Sequence, residues 1–239
     1  MNSLKYVIIG NSTAAVGAVE AIRRNDGEGQ IVIIGSERHH VYSRPLISYL
    51  LMGRTDEAGM KYRGDEFYRE NRCELKCGRT AVRIDAGLKR VILDDGGYES
   101  YDRLLVATGS SPVIPPIPGL DSVTCKFTFT SLDEAKALER ALERNATVLI
   151  LGAGLIGLKC AEGISGRNVK IVCVDLSSKV LSSILDDEAS GMVKKHLEEH
   201  GIRFYLGRQV TRFEGNRAVL DDETEIPFDV LVLAVGVRP

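Results

Sequence analysis

Residues Val148 to Glu162 read VLILGAGLIGLKCAE, and their spacing decides how the rest of the chain is organised. A short apolar run from Thr147 to Leu151 meets three glycines at Gly152, Gly154 and Gly157 in the pattern G-x-G-x-x-G, with Leu155 and Ile156 between the last two. A helical pattern follows, and a second apolar run, Val169 to Val174, ends on Asp175. Each position has a physical task. The first glycine permits a tight turn out of a strand. The second lets the backbone approach a pyrophosphate, and the third lets a helix lie close on the strand. The helix N-terminus offers free N–H groups and the positive end of its dipole to phosphate. An acid at the tip of the second strand accepts hydrogen bonds from a ribose 2′-OH. The glycine pattern alone is weak evidence. With strand, helix, second strand and acid in order, it reads as a dinucleotide site rather than an ordinary strand–helix–strand turn.

The N-terminus repeats the plan. Leu4 to Ile9 reads as a strand, a helix is expected from about Ala14 to Arg24, and a second strand, Gln30 to Ile34, leads to Glu37 and Arg38. Between them Gly10-Asn11-Ser12-Thr13-Ala14-Ala15 carries a degraded turn: Ser12 and Ala15 stand where the second and third glycines would be. Alone, this match fits a nucleotide site or a plain βαβ unit equally well. Its pairing with Val148–Asp175, and Glu37 in the acid position, favour a second dinucleotide.

Composition excludes several classes. The chain has 239 residues, 44% apolar and 27% charged, as a soluble globular protein would. Its 31 basic and 33 acidic residues give a formal charge of −2, which argues against nucleic acid or an anionic membrane as partner. No apolar run approaches the roughly 18 residues of a membrane span, and a cytoplasmic protein is the simplest expectation. Five cysteines at scattered spacing (Cys73, Cys77, Cys125, Cys160, Cys173) form no disulfide framework and no C-x-x-C motif. On a strand, Cys73 and Cys77 would lie about 13 Å apart by rise, too far for one metal ion. His39-His40 lacks the companions of a metal site.

Between the two turns, Pro45 is expected to open a helix to Met52, capped by Ser43 and stopped by Gly53. Gly64 to Asn71 reads as another short helix. Four strands follow, Glu74–Cys77, Thr80–Ile84, Arg90–Leu93 and Glu99–Tyr101, with a hairpin turn at Gly96-Gly97. Arg103 to Val106 reads as a buried strand closed by Ala107-Thr108-Gly109. Four prolines between Pro112 and Pro118 suggest an extended connector and a domain boundary. Ser131 with Glu134 forms a capping-box pattern for a helix to about Arg144. Asp186 to His200 is expected to be an amphipathic helix with Met192, Val193 and Leu197 inward. The last apolar strand, Phe228 to Leu233, ends in Ala234-Val235-Gly236 and echoes Arg103–Gly109. Asp175 would repel a 2′-phosphate, so NAD is favoured over NADP, with Lys179 a weak counter-signal.

Taken together, the turn at Gly10 with Glu37, Tyr42-Ser43-Arg44-Pro45, Ala107-Thr108-Gly109, the turn at Gly152 with Asp175, and Ala234-Val235-Gly236 resemble the FAD-dependent pyridine nucleotide–disulfide oxidoreductase superfamily. Within it the chain looks like the NAD(FAD)-dependent dehydrogenases, the group of rubredoxin and ferredoxin reductases and the flavin domain of nitrite reductases. The resemblance implies an α/β fold: two Rossmann-like FAD/NAD(P)-binding domains with parallel sheets and a three-stranded β insertion. Residues 1–115 with 233–239 would form the FAD domain and 116–232 the NAD domain. By resemblance Gly10, Ser12, Thr13, Ala14 and Ala15 hold the FAD pyrophosphate, and Glu37 with Arg38 the adenosine ribose. Arg44 and Pro45 approach the flavin ring, Val82 meets the adenine through its backbone, and Ala107, Thr108, Gly109 and Gly236 line the FAD site. Gly152, Gly154, Leu155, Ile156, Gly157 and Asp175 hold NAD(H).

The resemblance also implies hydride transfer from NADH to FAD and electron delivery to a separate protein or domain, such as rubredoxin or an iron–sulfur carrier. The sequence departs from the pattern in three places. Residues 38 to 60 contain no redox cysteine, which argues against disulfide reduction. Lys159 stands where relatives carry Glu near the nicotinamide, with Glu162 one turn on to offset its charge. The chain stops at Pro239, where relatives continue into a further FAD-domain segment and an interface domain, so an incomplete FAD domain is expected. A non-catalytic dinucleotide-binding module is the alternative that these departures keep open.

Overall fold

A computed structural model describes residues 3–239. The first half of the chain runs β1 (Lys5–Ile9), α1 (Thr13–Asn25), β2 (Gln30–Gly35), a 3-10 turn (Arg44–Leu46), α2 (Ile47–Leu51), α3 (Phe67–Glu70), β3 (Cys73–Cys77), β4 (Ala81–Asp85), β5 (Arg90–Leu93), β6 (Tyr98–Ser100) and β7 (Arg103–Val106). Next come β8 (Ser111–Pro112), β9 (Lys126–Phe127), α4 (Leu132–Ala141), β10 (Thr147–Leu151), α5 (Leu155–Ile164) and β11 (Lys170–Asp175). The remainder is α6 (Asp187–Glu199), β12 (Ile202–Leu206), β13 (Val210–Phe213), β14 (Arg217–Leu220), β15 (Glu225–Pro227), β16 (Val230–Leu233) and β17 (Val237–Arg238).

Contacts divide the chain into two compact units: one of residues up to Ser43 with Met60–Gly109 and Pro239, the other of Arg44–Gly59 with Ser110–Arg238. This differs from the division expected from the sequence. Residues 44–59 belong with the second unit because α2 packs on α4 and α5. There an added Cβ at Gly163 of α5 would lie 3.2 Å from the Ser48 carbonyl oxygen. Residues 233–238 also stay with the second unit, since β17 pairs with β8.

In the first unit β3-β2-β1-β7 form a four-stranded sheet of parallel pairs, with β1 in register between β2 and β7 (Ile8 opposite Ile33 and Leu105). The apolar alternation of β1 and β2 splits between two faces. Ile8, Ile31 and Ile33 pack with Val16 and Val19 of α1, whereas Val7, Ile9, Val32 and Ile34 pack with Val91 and Leu93 of the antiparallel β4-β5-β6 insertion. The expected buried strand Arg103–Val106 is instead an edge strand: Leu105 is 39% and Val106 55% exposed. It has a neighbour on one side only, so its apolar composition does not by itself bury it. The expected helix from Gly64 shrinks to Phe67–Glu70, where one buried anchor, Phe67, is enough for a single turn.

Glu99 on β6 ties the insertion to the sheet. It is 8% exposed and takes Lys5 Nζ of β1 at 2.7 Å and Lys76 Nζ of β3 at 2.8 Å. Burial alone would raise its carboxyl, but the two ammonium groups more than offset this and hold it below the ordinary value of 4.5. A carboxylate with a lowered folded value contributes stability that is complete above the unfolded value and is lost as the pH falls through the folded one. Glu99→Gln should therefore lower stability by about 2 kcal/mol at neutral pH and flatten the loss of melting temperature on acidification, read by melts across a pH series. An unchanged acid limb would show that Glu99 carries no such charge.

In the second unit the five-stranded parallel sheet runs β12-β11-β10-β16-β9. Leu149, Leu151, Val172 and Val174 meet Phe213, Leu220 and Ile226 of the antiparallel β13-β14-β15 sheet, and Phe228 just after it, in one core. Helix α4 carries the expected capping box, Ser131 with Glu134, but ends at Ala141 rather than Arg144, because Leu142 turns extended. Helix α2 has Leu46 rather than Ser43 at its N-cap, with no side-chain cap; the Ser43 N–H instead donates to the Met60 carbonyl at 2.8 Å. On α6, Val193 and Leu197 pack inward as expected, while Met192 is 70% exposed: the helix buries a narrower stripe than its composition offers.

Candidate functional site

Two turns of the same construction stand at the carboxyl ends of the two parallel sheets. In the second unit Gly152 has φ +109°, and a Cβ there would lie 2.3 Å from the Ala234 carbonyl oxygen. Its N–H donates to Val174 at 2.8 Å, and the Ala234 N–H to Leu151 at 2.8 Å. In the first unit Gly10 has φ +115°, with its added Cβ 2.0 Å from the Ala107 carbonyl oxygen. Its N–H donates to Ile34 at 2.8 Å, and the Ala107 N–H to Ile9 at 2.7 Å. The backbone of each first glycine therefore passes against the segment that closes the adjacent strand. Only glycine fits there, sterically and at that φ. Gly109 and Gly236, two residues past those alanines, share positive φ (+73° and +122°) and open space around the α-carbon.

The rest of the second turn has the shape of a phosphate cradle. A Cβ at Gly157 would strike the Gly152 carbonyl oxygen at 2.0 Å, so α5 lies against the turn, whereas Gly154 has nothing within 4 Å. Gly154 caps α5 without a side-chain hydrogen bond, and no acid occupies the first turn. The first N–H groups of a helix lack intrahelical partners, so those at Leu155, Ile156 and Gly157 face the open side that Gly154 leaves. Residues that fill every gap except the one facing the helix N-terminus fit a pyrophosphate.

Asp175, at the end of β11, accepts from the Ala153 N–H at 2.6 Å and from the Ser177 N–H at 2.7 Å. The acid is thus fixed by the glycine turn itself and keeps lone pairs for a ribose hydroxyl. Lys159 lies farther along α5, paired with Glu162 as the sequence suggested, and its ammonium stands 4.6 Å from the centre of the Tyr49 ring. Arg44 opens the 3-10 turn and donates from Nη1 to the Thr130 carbonyl at 2.8 Å. Glu134 braces that acceptor by receiving the Thr130 N–H at 2.8 Å and the Thr130 hydroxyl at 2.9 Å. Burial would raise the Glu134 carboxyl, yet these donors and the Thr128 hydroxyl hold it low.

In the first unit Gly10, Ser12, Thr13, Ala14, Ala15, Glu37, Ala107, Thr108 and Gly109 gather at one sheet edge through β1, β2 and β7. Ser12 is the N-cap of α1 and makes no side-chain cap bond, and the first turn carries no acid. The uncapped N-terminus of α1 beside the Gly10 turn fits a phosphate group. Glu37 accepts the Tyr42 hydroxyl at 2.6 Å. Tyr68 donates to Asn11 Oδ1 at 2.8 Å, which braces the turn from the side. Arg38 is exposed and its stem lies over Gly78 (φ +69°). Val82, 59% exposed, sits at the register shift of edge strand β4. Arg44 and Pro45 belong to the other compact unit.

Tyr42, Tyr68, Asn11 and Tyr49 had no signal in the sequence that assigned them a contact: Tyr68 meets Asn11 57 residues away and Tyr49 meets Lys159, while Tyr42 reaches back five residues to Glu37. The five cysteines are free. Burial pushes the Cys73 thiol up to about 11 and Cys173 up to about 12, and raises Cys77, Cys125 and Cys160 as well. These are thiols, not the thiolates that attack disulfides. Among the described residues no cluster of three or more His, Cys, Asp or Glu could hold a metal ion, and no helix is long and apolar enough to cross a membrane.

Comparison with known proteins agrees with this geometry. Residues 4–239 match the family described as pyridine nucleotide-disulphide oxidoreductase. The chain is 33% identical over 239 residues to the NADH-dependent phenylglyoxylate dehydrogenase subunit epsilon of Aromatoleum evansii, covering 98% of this chain and 56% of that protein. It is 30% identical to a rubredoxin-NAD(+) reductase of Pseudomonas putida, covering 99% of this chain and 63% of that one. The reductase of a covalent putidaredoxin reductase–putidaredoxin complex superposes with a TM-score of 0.91 at 25% identity, over 100% of this chain and 60% of that one. The chain thus spans somewhat more than half the length of these relatives. It belongs to the pyridine nucleotide-disulphide oxidoreductase family, whose members work with FAD and NADH.

Proposed function

We propose that this chain is the FAD- and NADH-binding part of an oxidoreductase that takes hydride from NADH and delivers electrons to a separate redox carrier, a rubredoxin or an iron–sulfur protein or domain. The observation that carries this reading is the duplicated turn: Gly10 against Ala107 and Gly152 against Ala234, each with a glycine of positive φ two residues farther on. On this reading the unit built around Gly10 takes FAD and the unit built around Gly152 takes NADH.

Bound FAD would supply the two-electron acceptor for hydride, and the protein supplies position and electrostatics. The N-termini of α1 and α5 face the two pyrophosphates, and Glu37 and Asp175 hold the two adenosine riboses. The Arg44 guanidinium is held by the Thr130 carbonyl, which Glu134 braces in turn. Lys159, paired with Glu162, presents a compensated charge on the nicotinamide side. Residues 38–60 carry no cysteine, so on this reading the flavin passes electrons to an external carrier rather than to a protein disulfide.

An anaerobic visible spectrum of the FAD-supplemented, desalted protein, taken before and after NADH, tests this. Retained flavin absorption that bleaches on adding NADH is the expected result. Flavin that stays oxidised beside bound NADH would support the non-catalytic module instead.

A further inference from the structure

The segments flanking Asp175 carry two cations, and both are turned onto carboxylates. Lys179, four residues beyond Asp175, places Nζ 2.6 Å from Asp187 Oδ1 in the first turn of α6. Arg208 follows β12, and its backbone N–H donates to the Asp175 carbonyl at 3.0 Å, so its α-carbon is a near neighbour of the acid. Its guanidinium is directed to Asp222 at 3.1 Å and Asp221 at 3.9 Å. The loop between them is pinned: the Ser177 N–H donates to Asp175, the Gly207 N–H to the Ser177 carbonyl at 2.8 Å, and the Leu181 N–H to the Ala153 carbonyl at 2.9 Å. The backbones that bear the two cations are therefore held beside the ribose acid, while their charged ends are held by other partners. Asp187 is held below the ordinary carboxylate range chiefly by its bond to Lys179, and Asp222 chiefly by bonds to Thr224 with a further contribution from Arg208.

We infer that Asp187 and Asp222 are specificity-determining residues: they hold Lys179 and Arg208 away from the ribose 2′ position, so that Asp175 meets no competing cation there and NADPH is rejected. This rests on the proposed NADH site at Gly152–Asp175. The chemistry is one of competition. A 2′-phosphate brings nearly two negative charges and needs cations within hydrogen-bond reach. A diol needs an acceptor, and a free cation beside it would draw Asp175 into an ion pair. Exposed pairs of this kind add little to stability, and Asp187 has 95% of its side chain exposed. The variants that break them should therefore fold.

The test is a set of dissociation constants for NADPH and NADH, by nucleotide fluorescence, on the wild-type chain, Asp187→Asn, Asp187→Asn/Asp222→Asn and Asp187→Asn/Lys179→Ala. NADPH binding should tighten roughly fivefold in Asp187→Asn, by about the strength of one exposed ion pair. It should tighten further when Asp222 is also replaced, with NADH affinity unchanged or weaker. Removing Lys179 should cancel the gain of Asp187→Asn. A gain that survives loss of Lys179 would come from the deleted negative charge alone and would overturn the inference, as would NADPH affinity that does not move. Wild-type protein that binds neither nucleotide would refute the underlying site assignment instead, a different result. Melting temperatures close to wild type establish that each variant is folded.

Discussion

Gly152→Ala is expected to unfold the second turn and to abolish NADH binding. Its Cβ would stand 2.3 Å from the Ala234 carbonyl oxygen and 2.8 Å from the Ala234 carbonyl carbon, both backbone atoms of the segment that follows buried strand β16. That oxygen cannot rotate away as a flexible side chain could. The φ of +109° adds backbone strain for any residue with a Cβ. Overpacking and strain together should cost about 3 kcal/mol, visible as a large drop in melting temperature. Gly154→Ala separates folding from binding. Nothing lies within 4 Å of its Cβ and its φ is −79°, an ordinary value. That variant should keep its melting temperature within a few degrees, since little packing changes, and still bind NADH at least about tenfold more weakly, because the new methyl occupies the pyrophosphate approach. Wild-type affinity in Gly154→Ala would remove the cradle assignment.

The second large effect is expected at Asp175. Asp175→Ala removes the proposed acceptor of the ribose hydroxyl and, at the same time, the acceptor of two backbone N–H groups, those of Ala153 and Ser177. Leaving partly buried donors without a partner costs about 1–3 kcal/mol, so the melting temperature should fall while the fold persists. NADH affinity should fall by roughly tenfold or more, the cost of a lost charge-assisted hydrogen bond and a loosened turn. A drop in stability with unchanged NADH affinity would make Asp175 a brace of the turn and nothing more. Asp175 is engaged by the turn beside it, so the acid and the glycine turn are one mechanical unit, which the acid's place in the sequence did not suggest.

The first turn is built differently at the same point. Glu37 takes the hydroxyl of Tyr42, and the second residue of the turn, Asn11, is held by Tyr68. Tyrosine hydroxyls, from five residues on for Glu37 and 57 residues on for Asn11, therefore do in the first unit what backbone N–H groups do in the second. Ser12 and Ala15, where the second turn has Gly154 and Gly157, are compatible with this bracing.

The sequence by itself determined most of the element order, both glycine turns, the three-stranded insertion and the family. Those features depend on local chemistry: a Cβ that glycine lacks, an apolar run with a period of two, and a serine three residues before a glutamate. The capping box at Ser131 and Glu134 was legible for that reason, as was the echo of Ala107-Thr108-Gly109 in Ala234-Val235-Gly236. Tertiary structure alone decided what depends on neighbours far along the chain. The strand Arg103–Val106 looks buried from its composition but lies at a sheet edge. Met192 falls outside the buried stripe of α6, and residues 44–59 join the unit of α4 and α5 through helix packing. The pairings of the charges, Lys179 with Asp187 and Arg208 with Asp222, were settled the same way. A long charged side chain reaches several partners at nearly equal energy, so residue type says that it will pair, and only the folded backbone says with which partner.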